Sequence, residues 1–354
     1  MAKFGNKLFN KKVFGSGNGA SAPSTGSGLA QIDLNSPIGF DKAKHLMRRA
    51  SFAGSFDQID ALAAMNIGDA LDVIFSPISY TQLDPITATG TEKSQSRYDW
   101  WEISENTIPN WYGKFSYFIF NMLPAEIVGA SAKDEVAWFN FLHDSVYRSY
   151  KDTISAVTRD HNMGRRLNIA DNIASAPNEN YAREVMELFT LSPGPQIAVG
   201  DYTYYTEDDI VQAARVLTGF RRTNSNVQMN SISSFHDSGD KTFSAAFQNT
   251  VITGQADPAS ELPFFVDMLF AQPRVADYLA LRLHRYYIGD VTDQTVLNEI
   301  AASLIANGYQ FENVLKDIFK SEYFYKTDNT AQQFMSPIEA VYHCINYFNA
   351  DIDL

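Results

Sequence analysis

Asn178-Glu179-Asn180-Tyr181-Ala182-Arg183-Glu184-Val185-Met186-Glu187-Leu188-Phe189-Thr190-Leu191 carries the fold class of this 354-residue chain. Glu179, Arg183 and Glu187 recur at i, i+4 and i+8, and Val185, Leu188 and Phe189 fall on the inner side. That is the period of a helix. Ser192-Pro193-Gly194-Pro195 then ends it, because two prolines remove backbone donors and glycine admits a turn.

The same period recurs on both sides. Ala43, Leu46, Met47 and Ala50 stripe the stretch Asp41–Phe52. Ser55 with Gln58 spells a capping box before Phe56, Ile59, Leu62 and Ala63. Trp111–Leu123 is an aromatic helix stopped by Pro124, and Ser131 opens another with Val136, Phe139, Leu142 and Val146. Thr206 caps a stripe of Ile210, Ala213, Ala214 and Leu217 that Gly219 ends. Pro258–Phe270, Pro273–Tyr287, Val296–Ala306 and Phe311–Phe319 follow, and Ser336-Pro337-Ile338-Glu339 opens a last helix. Only residues 220–252 depart, with short alternating pieces such as Val227–Ile232. The expected fold is mainly α: a multi-helix globular body with one short β-hairpin-like excursion near 220–252.

Hydrophobic residues make up 45% and charged residues 19%, which excludes wholesale disorder and a coiled coil. A single cysteine, Cys344, excludes an internal disulfide framework and a cysteine-based zinc cluster. The richest apolar stretch, Trp111–Ala130, is broken by Lys114, Asn121, Pro124 and Glu126, so no transmembrane segment is expected.

Charge is unevenly spread. Residues 1–14 carry four lysines and no acid. Removing those four from 28 Lys and Arg leaves 24 against 41 Asp and Glu, so the body is −17 and the tail +4. An acidic body is a poor partner for nucleic acid. In the tail, Phe4, Leu8 and Phe9 lie near helical spacing beside Lys3, Lys7, Lys11 and Lys12, a basic amphipathic segment suited to docking on a neighbouring subunit. It lacks the apolar core of a signal peptide. Three segments result: the tail at 1–14, a Gly/Ser-rich tether at 15–35, and a helical body at 36–354.

Three groups of residues could carry chemistry. Arg183 with Glu184 and Glu187 offers two carboxylates on one turn, able to share a proton or hold a hard cation, or else an arginine–glutamate network tying helices together. His236-Asp237-Ser238-Gly239-Asp240-Lys241-Thr242 offers either an ordered turn or a carboxylate-held histidine with a lysine nearby. His45 sits one turn from Arg48 and Arg49. His143 and His161 each adjoin an aspartate, but neighbours on a helix point apart. Trp100, Trp101 and Trp111 suit either core packing or a surface-polymer site. No nucleophile elbow, phosphate loop or zinc motif occurs, and no metal or cofactor is assigned.

His45-Leu46-Met47-Arg48-Arg49-Ala50-Ser51-Phe52, the Asn178–Leu191 run, Tyr205–Ile210 through Ala214–Phe220, His236–Phe243, Pro273–Tyr287 and Phe319–Pro337 together resemble the bacterial family called domain of unknown function 1800. The resemblance implies a mostly helical fold and a cell-envelope or extracellular setting, with members often encoded beside a sulfatase-like partner family. It implies no activity. The family's Phe-Trp-His-Asn-His-Phe block has its nearest local match at Phe118–Leu123, where Phe120 and Met122 replace both histidines, and the C-terminal part of the family pattern is missing. The expected role is therefore a non-catalytic structural or interaction subunit of an assembly of protein subunits. The alternative is a metal-dependent or hydrolase-type enzyme with a site near His45, Glu184, Glu187 and His236.

Overall fold

The computed structural model describes residues 28–52, 54–106, 110–199, 201–223, 225–326 and 335–348. The tail with Lys3, Phe4, Lys7, Leu8, Phe9, Lys11 and Lys12 lies outside the described residues. Gly28 and Leu29 donate their N–H groups to the Glu299 carboxylate at 2.6 and 2.7 Å, and Ile32 N–H donates to Lys320 O at 2.9 Å. The last part of the 15–35 tether is thus held against the body.

Helices dominate, in the order α1 (Phe40–Ala50), α2 (Phe56–Ala63), α3 (Ile67–Ile74), α4 (Gly90–Asn106), α5 (Trp111–Met122), α6 (Ala132–Tyr147), α7 (Tyr150–Thr158), α8 (His161–Arg166) and α9 (Asn180–Glu184). After the hairpin β1–β2 (Gln196–Ala198, Asp201–Tyr202) come α10 (Glu207–Val216), α11 (Pro258–Phe270), α12 (Pro273–Tyr287), α13 (Gln294–Ala306), α14 (Phe311–Lys320) and α15 (Pro337–Phe348). Short polar side chains start most of them. Ser55 and Gln58 make the capping box of α2, Thr206 and Asp209 that of α10, and Ser131, Ser149 and Asp160 cap α6, α7 and α8. Each satisfies backbone donors that the first turn leaves unpaired.

The 220–252 excursion contains two short antiparallel ladders. β3 (Phe220–Arg221) pairs with β4 (Asn230–Ser231), and β5 (Lys241–Thr242) pairs with β6 (Val251–Ile252). The core runs through the aromatic face of α5, where Trp111, Phe115 and Phe118 are buried, and continues into α12 and α14 through Tyr287, Phe311 and Phe319. Among the described residues no helix is long and apolar enough to cross a membrane.

One departure bears on the site. Val185–Thr190, expected to continue α9 as α-helix, is a π-helical turn. The wider turn rotates the residues that follow, and Leu188, expected in the core, is 41% exposed while Phe189 stays buried.

Candidate functional site

Arg183 closes the arginine–glutamate network. Its guanidinium grips Glu207 at the start of α10 with two bonds of 2.7 Å and reaches Glu179, one turn back, at 3.1 Å. The fork holds the Glu207 carboxyl below its usual range. Glu187 accepts from Tyr205 Oη at 3.3 Å. Burial, and next the charge of Glu187, raise the Glu184 carboxyl. The carbonyls left unpaired at this helix end find phenols: Tyr150 Oη donates to Phe189 O at 2.9 Å, and Tyr278 donates to Leu188 O.

The second group is built around Thr218-Gly219, where α10 gives way to β3. Gly219 has φ +88° and runs so close to His236 that an added Cβ would lie 3.1 Å from the histidine Cβ. His236 Nδ1 is 2.9 Å from Thr218 O. A carbonyl can only accept, so Nδ1 carries the proton. The other ring nitrogen lies 3.1 Å from Glu261 Oε1, within ion-pair distance but without hydrogen-bond alignment. Lys241 Nζ, fully buried, is 2.7 Å from both oxygens of Glu261, in the first turn of α11, and also donates to Asp237 O. Gln255 N–H adds a bond of 2.6 Å. Burial pushes the Glu261 carboxyl up, but its contacts, among them the Lys241 ammonium on both oxygens, outweigh it and hold it low. Asp237 faces away, clasped by Arg215 at 2.7 and 3.2 Å and held low chiefly by that contact.

His236, Asp237 and Lys241 are thus brought together. His45, Glu184 and Glu187 make no hydrogen bond or ion pair with them. His45 packs on Phe324 with ring centroids 4.5 Å apart, and burial, then Arg49, lowers it to about 4. Nearby, buried Lys114 pairs with Glu339 of α15 at 2.6 Å and donates to Arg48 O at 2.8 Å. Trp111 is core, not a surface platform, and Trp100 is half-buried with its indole N–H on Ser116 Oγ at 3.1 Å. The side chain of Trp101 lies outside the described residues.

Two partners escaped the sequence. Glu261 stands 20 residues beyond Lys241, and no local pattern marks it. His161 ignores its neighbour Asp160 and binds Asp134 of α6 through Nδ1 at 2.9 Å, while Arg222 takes the other Asp134 oxygen at 2.9 Å. Burial alone would raise Asp134, but the His161 contact brings it down to about 2. Asp160 instead caps α8, and burial lifts it to about 6. Among the described residues no three His, Cys, Asp or Glu side chains converge to hold a metal ion.

The arrangement defines a helical protein in which most of the candidate polar residues are bonded to side chains of other elements. The model of the family described as a protein of unknown function, DUF1800, matches residues 45–352, and the chain belongs to that family. No curated protein and no solved structure matches it. On α6, Asn140 donates to Leu83 O at 2.8 Å.

Proposed function

We propose that this chain is a non-catalytic structural or interaction subunit of an assembly, docking a neighbouring subunit through its N-terminal tail. What supports the reading is the closure of the Lys241–Glu261 pair. Both side chains are fully buried, and the Arg215–Asp237 clasp adjoins them. A pair so enclosed fixes the 220–252 excursion onto α11 and offers no open face to a substrate. The +4 tail and −17 body supply opposite charges for docking. Deleting residues 1–14, or exchanging Lys3, Lys7, Lys11 and Lys12 for glutamate, is expected to abolish co-purification with the neighbour and lower the assembly mass by light scattering. An unchanged mass in both variants refutes the docking role.

The enzyme reading keeps one supporting observation. Glu184, with a raised carboxyl, stands one turn from Glu187 beside a π turn, a feature that recurs at functional sites. Stoichiometric metal in the purified chain, lost on Glu184→Gln without loss of fold, would favour it.

A further inference from the structure

A cleft of about 510 Å³ opens between the end of the π turn, the bend after β2 and the first turn of α12. Its size is that of a small-molecule pocket. It lies apart from the networks above, and among the described residues three of its polar side chains make no hydrogen bond.

The first is Arg274. Its guanidinium carbon sits 3.6 Å over the ring centroid of Tyr204. Behind Tyr204 runs Gly194, with φ +70°, where an added Cβ would stand 2.9 Å from three ring atoms. Backbone, ring and guanidinium form a stack that fixes the arginine plane. Stacking uses the face of a guanidinium and leaves its N–H edge free. Among the described residues Arg274 has no hydrogen bond and no ion pair.

The second is Gln272, only 9% exposed. It occupies the cap position of α12 without capping it, and its carboxamide, which lines the cleft, has no hydrogen-bond partner among the described residues. The third is Asp277, three residues after Arg274 and so on the same side of α12. It lines the cleft with no hydrogen-bond donor among the described residues, and Arg274 acts on it through space without closing an ion pair. Leu191 and Ala246 supply apolar wall.

A guanidinium fork and a separate carboxylate in one cleft select against simple ions. Asp277 repels a phosphate, and Arg274 repels a bare amine. A molecule carrying both charges satisfies both residues at once. We propose that this cleft binds a small zwitterion with the chemistry of an amino acid or dipeptide: its carboxylate on Arg274 and Gln272, its ammonium on Asp277, and its side chain against Leu191 and Ala246. The site does not involve the tail, so its failure and that of the docking role are separately visible.

The test is calorimetric titration of the full chain with L-leucine, leucyl-leucine, N-acetyl-leucine and leucinamide. At least one zwitterion is expected to bind saturably, and the acetylated and amidated probes, each lacking one charge, at least about tenfold more weakly. Arg274→Gln and Asp277→Asn should each weaken binding about tenfold or more with the melting temperature unchanged, and Arg274→Lys should fall between, keeping charge but losing the fork. No saturable binding of either zwitterion up to about 10 mM overturns the proposal. So does equal binding of the blocked probes, or affinity unmoved in both folded variants.

Discussion

The ammonium nitrogen of Lys241 lies 2.7 Å from each carboxylate oxygen of Glu261, and neither side chain has any exposed surface. Burying two charges is unfavourable unless each is paired and hydrogen-bonded, and here Asp237 O and Gln255 N–H complete the set. Lys241→Met should therefore destabilise the chain by about 3–5 kcal/mol, because it leaves an uncompensated buried carboxylate. The double variant Lys241→Met, Glu261→Leu should be markedly less destabilised than the sum of the single changes. Denaturant titration checks both. Additive losses would mean that the pair is not coupled.

Arg183 provides the contrast. Its pairs with Glu207 and Glu179 are partly solvated, the arginine side chain being 35% exposed. Arg183→Lys removes the two-pronged geometry but keeps the charge, and the expected loss is about 1 kcal/mol or less. Thermal melts at low and high salt test this, with the wild-type advantage shrinking in salt.

Gly219 is confined by its left-handed φ of +88° and by Ile232 O, 3.0 Å from where a Cβ would stand. Gly219→Ala combines backbone strain with a clash against backbone, and should destabilise by about 1–3 kcal/mol. A melting temperature equal to wild type would show that this turn relaxes freely.

Two buried groups give opposite pH slopes. Asp160 is raised from 3.8 to about 6, so between those values the native state holds the extra proton and stability falls as pH rises. His45 is lowered from 6.5 to about 4, so there the unfolded state holds the extra proton and stability falls as pH drops. Asp134, held at about 2, titrates mainly below this window. In Asp160→Asn the amide oxygen can still accept the two N–H groups that cap α8. The variant should gain on wild type from pH 4 to 6, by up to about 3 kcal/mol. Chemical denaturation across that range reads the difference, and a constant difference would place the titration elsewhere.

The helices that were legible in the chain are those whose signals are local. The Ser55–Gln58 box and the Thr206 cap name their own partners three residues away, and the apolar stripe of α10 needs no knowledge of what it packs against. Helix α4 was not legible because Gly90–Asn106 has no apolar stripe, and α8 because His161–Arg166 is too short to show one. The π turn was hidden as well, since the sequence of Val185–Thr190 suits an ordinary helix and the phenols that accommodate its carbonyls come from α7 and α12.

The sequence by itself determined that the chain is helical, acidic and a member of its family, and it marked His236, Asp237 and Lys241 as neighbours. Only the tertiary structure decided that Lys241 pairs with Glu261, that His161 binds Asp134 over the adjacent Asp160, and that Tyr204 covers the face of the Arg274 guanidinium. The physical reason lies in the range of the forces. Caps and helical periods are set by backbone geometry within a few residues, whereas a buried charge takes whichever partner packing brings within about 3 Å, and that choice has no local signature.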